Sequence, residues 1–217
     1  MGRLIVLDGL DGCGKSTQGE RVARALRERG ERVQLISFPD YAEPSSTLVK
    51  MYLAGEFSEN PDDINAYAAG SFYAVDRYAS YMLHWKAAYE AGATILATRY
   101  ATSNAIHQMG KLPESEWEGY LRWIEDYEYG KLGLPAPDLT IYLEMERAIS
   151  DKLLSARYAG DESKRDIHEK NRRYLEACRR TADFAARHWH WARIRCDDGV
   201  SPLPVETVTG KILQVIG

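Results

Sequence analysis

RLIVLDGLDGCGKST, Arg3 to Thr17, packs an apolar run, a glycine-rich turn and the start of a helical pattern into one short stretch. Within it, Gly9 to Ser16 fills every fixed position of G-x-x-x-x-G-K-[ST]. Glycines there let backbone N–H groups turn inward onto phosphate oxygens. Lys15 can neutralise the β and γ phosphates, and Ser16 offers a hydroxyl to Mg²⁺. The run before the turn reads as a buried strand and STQGERVARALRERG after it as a helix, which is the context a phosphate-binding loop needs. The nucleotide-binding set is therefore Gly9, Asp11, Gly12, Cys13, Gly14, Lys15, Ser16 and Thr17.

Outward from this loop, apolar runs alternate with amphipathic helical stretches, which predicts a parallel sheet with helices on both faces. Strands are expected at Arg3 to Asp8, Arg32 to Ser37, Thr94 to Ala97, Leu139 to Glu144 and Trp191 to Arg195. Helices are expected at Lys15 to Arg29, Ser45 to Ala54, Ile64 to Ala91, Ser103 to Met109, Glu114 to Tyr129, Ala148 to Arg157, Ile167 to His188 and Pro204 to Val215. The expected fold class is α/β: a P-loop NTPase fold with a five-stranded parallel sheet. The 217 residues form one domain, with a lid at about 157–166, because YAGDESKR (Tyr158 to Arg165) is charged and lacks apolar periodicity.

The totals narrow the function. A net charge of -4 gives no bulk attraction to nucleic acid, so an anion site must be a local cluster of Arg and Lys. No apolar run approaches the roughly 20 residues that span a bilayer, and MGRLIVLDG does not read as a signal peptide. Three scattered cysteines fit a reducing, cytoplasmic compartment better than a disulfide framework. No N-K-x-D guanine reader occurs, and a helicase or motor would normally be larger and carry an acid at a strand end. A small-molecule kinase instead needs a second anion pocket and a lid that excludes water.

Two arginines are candidates for that second pocket. Arg99 follows the third strand at the carboxyl edge, where open α/β sheets bind ligands, and its fork can grip a phosphate. Arg77 lies one helical turn after Tyr73, so the pair could stack on a flat base and bind its edge. The plainer reading of that pair is a core-facing tyrosine beside a surface ion pair. Ser103, Asn104 and Gln108 bring hydrogen-bonding groups on the next helix.

These residues, with FPDY (Phe38 to Tyr41), FYAVDRYASY (Phe72 to Tyr81), TRYATSNAIHQ (Thr98 to Gln108), GLPAPDLTIYL (Gly133 to Leu143) and RDIHEKNRRYL (Arg165 to Leu175), resemble the thymidylate kinase family in order and spacing from end to end. The resemblance implies γ-phosphoryl transfer from ATP to dTMP with Mg²⁺, in a homodimer. It implies that Asp11 approaches the acceptor, Tyr73 stacks on thymine, Arg77 reads the base edge and Arg99 binds the monophosphate. Phe38, Pro39, Ser103, Asn104, His107 and Gln108 complete the substrate pocket. Family members carry their catalytic arginine in the P-loop or in the lid. Gly12 and Cys13 fill the loop here, so Arg157, Lys164 and Arg165 are the lid candidates.

Three positions depart from the family pattern. Tyr41 stands where many relatives place an arginine on the acceptor phosphate, and His107 where an aromatic often backs the deoxyribose. Thr98 replaces the acid of D-R-[YH], which normally helps hold Mg²⁺ or its waters. The expectation is a slow or Mg²⁺-demanding enzyme unless Asp8 or Asp11 compensates. The alternatives are a kinase for another deoxynucleotide or nucleoside, and a nucleotide-binding protein with weakened or lost catalysis.

Overall fold

Continuous hydrophobicity makes β1 (Arg3–Gly9) a central strand: every residue from Leu4 to Gly9 is buried, as a strand covered on both faces requires. In the computed structural model, which describes residues 1–58, 60–157 and 172–217, β1 lies between β3 (Thr94–Thr98) and β4 (Leu139–Glu144). β2 (Val33–Ser37) and β5 (Ala192–Arg195) form the edges, giving the order β2-β3-β1-β4-β5 with every pairing parallel. All five expected strands are present, their ends moved by at most one residue.

Alternation along β1 divides the core. Leu4 and Val6 face one cluster with Ile95, Ala97 and the aromatic residues Trp85, Tyr100 and Tyr120; Ile5 and Leu7 face another with Leu96, Ile141 and Leu143. The second face is closed by α1 (Lys15–Glu28) through Val22 and Leu26 and by the C-terminal helix, Val205–Ile216, through Val208 and Ile212. Between them in sequence come α2 (Thr47–Leu53), α3 (Ala66–Ser80), α4 (Lys86–Glu90), α5 (Thr102–His107), α6 (Trp117–Ile124), α7 (Arg147–Arg157) and α8 (Arg172–His188), so the C-terminal helix is α9.

The expected Ile64 to Ala91 helix is divided. It starts at Asn65, whose side chain accepts from the Ala68 amide at 2.8 Å, and it widens into a π turn at Tyr81–Trp85 before α4. The turn keeps Tyr81, Trp85 and Tyr89 in one buried cluster. Glu114 to Tyr129 likewise becomes a 3₁₀ turn, α6 and a second π turn at Glu125–Lys131. The segment expected as a lid, with Lys164, Arg165 and the first residues of the helix expected from Ile167, lies outside the described residues.

Register sets up the site. Leu7 pairs with Thr98, and the Arg99 amide donates to the Leu7 carbonyl at 3.0 Å. The start of the glycine-rich loop and the end of β3 are therefore side by side at the carboxyl edge, where a crevice opens in folds of this class.

Candidate active site

Local packing demands glycine at the loop's entry. A Cβ on Gly9 would stand 2.6 Å from the Leu143 carbonyl oxygen, and one on Gly12 would stand 2.8 Å from that of Ser150 in α7. Gly14, at φ +90°, caps the N-terminus of α1, so the loop's amides and the helix dipole converge there. The buried Lys15 ammonium donates to the carbonyls of Gly9 at 2.9 Å and Leu10 at 2.8 Å. Ser16 is exposed at the helix start.

The loop opens onto a cavity of about 770 Å³. Asp11 to Gln18 line one side, Phe38, Pro39 and Tyr41 a second, and Tyr73, Arg77, Arg99, Ser103, Asn104, His107 and Gln108 the rest. Every described residue expected in the site is on this lining except Gly9, which is packed against β4 and contributes its carbonyl to Lys15. Arg157 ends α7, and its side chain lies outside the described residues.

Asp11 joins the two cationic stations. Its carboxylate is paired with the Arg99 guanidinium and lies 3.9 Å from the Lys15 ammonium. Burial alone would raise this carboxyl, but Arg99, Lys15 and His107 outweigh burial and hold it well below the usual carboxylate range. Arg99 adopts φ +68°, a left-handed conformation that costs a non-glycine residue of order 1 kcal/mol or more. Its Nη1 also meets Nε2 of His107 at 2.8 Å. His107 in turn stacks on Tyr174 of α8, ring centroids 6.4 Å apart.

The base-sized end of the cavity is built on a buried ion pair. Arg77 donates through Nε and Nη2 to Glu128 at 2.7 and 2.6 Å, with both side chains out of solvent. The surface ion pair entertained for Arg77 is thus an interior one. Tyr73 is half-buried and lines the same cavity. Gln108 accepts a long bond from the Tyr52 hydroxyl at 3.4 Å, and Lys111 donates to that hydroxyl at 2.6 Å. Burial pushes the Lys111 amine down to about 8.

At the third station the expected acid is absent. Thr98 is buried, its hydroxyl 3.5 Å from the Ile36 carbonyl and its methyl against Gly19, where an added Cβ would come within 2.5 Å. Asp8 is fully buried and accepts from the Gly9 amide at 2.8 Å, Thr102 at 2.6 Å and Ser103 at 2.8 Å.

A sequence model of the thymidylate kinase family matches residues 7–194, which include the end of β1, the loop, both arginines and β4. The chain belongs to the thymidylate kinase family. Thymidylate kinase of Mycobacterium tuberculosis is 28% identical over 203 residues, covering 89% of this chain and 92% of that one. The Homo sapiens enzyme is 30% identical over 151 residues, 70% of this chain and 65% of that one. A solved structure of thymidylate kinase from Candida albicans superposes with a TM-score of 0.69 at 20% identity, over 99% of this chain and 91% of the other, and shares the fold.

Sequence reasoning missed three groups that shape the site. Glu128 was hidden in an aromatic-rich helical stretch that reads as core and interface; an acid between two tyrosines in DYEYG was its only signal. Tyr174 carries no chemical signature in RRYL. Thr102 gains its part only because the fold brings it to Asp8, 94 residues away in sequence.

Proposed function

We propose that the protein transfers the γ-phosphoryl group of ATP to the 5′-phosphate of dTMP, giving dTDP and ADP. The observation that carries this reading is the single carboxylate of Asp11 spanning Lys15 of the glycine-rich loop and Arg99 just after β3. Two phosphate grips that meet at one acid in one cavity suit a donor and an acceptor placed end to end.

The acceptor oxygen needs no strong base, because a phosphate monoester is largely ionised at neutral pH (second pKa about 6). Charge and alignment are what the protein must supply. The loop amides and Lys15 hold the β and γ phosphates, with Lys15 exchanging its carbonyl partners for phosphate oxygens. Arg99, pre-set by Asp11 and His107, holds the acceptor phosphate facing the γ-phosphorus. A bond forms from the acceptor oxygen to the γ-phosphorus as the bond to the β–γ bridging oxygen breaks, and ADP leaves with that electron pair. Arg157 and Arg165 in the proposed lid at about 157–166 offset charge on the moving group, with Lys164 a further candidate.

The residues present fit Mg²⁺. The Ser16 hydroxyl is exposed with no partner among the described residues, and no cluster of three or more His, Cys, Asp or Glu occurs among them. One hydroxyl, nucleotide phosphates and water are a typical Mg²⁺ environment. When bound, the ion would neutralise charge on the β and γ oxygens.

Tyr73 is assigned to stack on thymine, Arg77, Asn104 and Gln108 to its edge, and Phe38, Pro39 and Ser103 to the surrounding wall. His107 and Tyr174 back the sugar. A second copy of the chain is proposed to pack on α3 and the π turn after it, where Tyr67, Val75, Tyr78 and Met82 form an exposed stripe. Three buried, free cysteines suit the cytoplasm. ADP release assayed with ATP, Mg²⁺ and dTMP, dUMP, dGMP, dCMP or thymidine tests the assignment. Turnover preferring dTMP is expected; another preferred acceptor, or binding without turnover, would replace it.

A further inference from the structure

Behind the base end of the cavity, bonded to the lining residues Arg77 and Asn104, lies a fully buried carboxylate that no step of phosphoryl transfer uses. We propose that Glu128 is a specificity-determining positioning residue, fixing Arg77 and Asn104 so that the cavity presents a donor and an acceptor matched to the O4 and N3–H edge of thymine and mismatched to cytosine. The inference rests on the proposed function and names what sets its choice of base.

The geometry follows from which groups can donate. A carboxylate only accepts, and buried Glu128 takes three bonds: Nε and Nη2 of Arg77 at 2.7 and 2.6 Å, and Nδ2 of Asn104 at 2.9 Å. The second Nδ2 hydrogen of Asn104 goes to the Gly70 carbonyl at 3.1 Å. Both amide hydrogens are spent, so the Asn104 amide cannot turn over without placing its oxygen against Glu128 and the Gly70 carbonyl. Its Oδ1 is left for the cavity, which Asn104 lines.

Arg77 is limited in the same way. With Nε and one Nη2 hydrogen committed, Nη1 is the nitrogen with both hydrogens left to donate, and it has no partner among the described residues. Neither this atom nor Asn104 Oδ1 is sealed off: among the described residues the only buried side-chain polar atom without a partner is Trp85 Nε1. The cavity thus offers one donor from Arg77 and one acceptor from Asn104. Lys111 repeats the device more weakly, donating to the Tyr52 hydroxyl, which donates to Gln108 Oε1 and leaves the Gln108 amide nitrogen as a second donor.

Thymine presents O4 as an acceptor and N3–H as a donor, and O2 as a second acceptor. Cytosine reverses the first two, with a donating N4 amino group and an accepting N3. A site whose buried polar groups are fixed in this sense rejects the reversed edge, because both partners would go unsatisfied.

Glu128→Gln tests the proposal while preserving shape. The amide has one accepting oxygen, so one of the three donors facing it must turn away; Asn104 can do so by flipping, which shows its amino group to the cavity. The expected result is a rise of tenfold or more in KM for dTMP with KM for ATP unchanged, and a ratio of kcat/KM for dTMP over dCMP reduced at least tenfold. Glu128→Asp keeps the charge and should recover part of that ratio. A folded Gln variant with an undiminished ratio overturns the proposal, as does an undiminished ratio in the Asp variant should the Gln variant fail to fold. Loss of turnover with both substrates in equal proportion, with the ratio intact, also counts against it. Absence of dTMP turnover in the native enzyme would instead overturn the proposed function.

Discussion

Thr98 sits at the end of β3 with its methyl against Gly19 and its hydroxyl toward the Ile36 carbonyl, so it is oriented for packing more than for the phosphates. The two acids best placed to replace the missing carboxylate are already engaged, Asp8 by two hydroxyls and an amide, Asp11 by Arg99 and Lys15. One positioned electrostatic group is commonly worth 10² to 10³ in rate, by about 3 kcal/mol of barrier. Thr98→Asp is therefore expected to raise kcat by about tenfold or more in a steady-state assay at saturating ATP and dTMP, and an unchanged or lower kcat would remove Thr98 from the account. At this scale the sequence was legible where chemistry is local. The loop from Gly9 to Ser16, and Arg99 just past an apolar run, declare themselves. Glu128 and Thr102 do not, because their partners are 51 and 94 residues away and only the fold introduces them.

The elements show how loops without regular structure acquire fixed positions. On α3, Tyr73 and Arg77 face the cavity, and Asp76, fully buried, reaches the other way to accept from the Asp40 amide at 2.9 Å and the Ser45 hydroxyl at 2.6 Å. One helix thereby carries base-end residues and ties down the loop that brings Phe38 and Pro39 to the wall. Leaving such donors unsatisfied costs about 1–3 kcal/mol. Asp76→Ala is expected to raise KM for dTMP by about tenfold while KM for ATP stays within twofold, and equal changes in both constants would argue for general damage instead. The strands were readable to within a residue because β1, β3 and β4 are continuous apolar runs. The π turns at Tyr81–Trp85 and Glu125–Lys131 were not, since five to seven residues are too few to separate a widened turn from α periodicity.

Across the whole molecule, the parallel order β2-β3-β1-β4-β5 brings the loop after β1 and the arginine after β3 to one edge, and the cavity between them holds almost every expected site residue. The exposed stripe on α3 and the π turn after it continues to Leu83, 72% exposed, a contiguous apolar surface of the kind that marks an interface. Light scattering is expected to give twice the chain mass of 24.6 kDa, and Met82→Glu with Leu83→Glu to halve it; a native protein at the chain mass would refute the dimer. The central claim is that the grips around Lys15 and Arg99 hold a donor and an acceptor at once, which ³¹P NMR of the protein with ATP, Mg²⁺ and dTMP tests most directly. The account predicts dTDP resonances growing one-for-one with those of ADP. ADP accompanied by free phosphate and no dTDP, or no consumption of ATP, would contradict it.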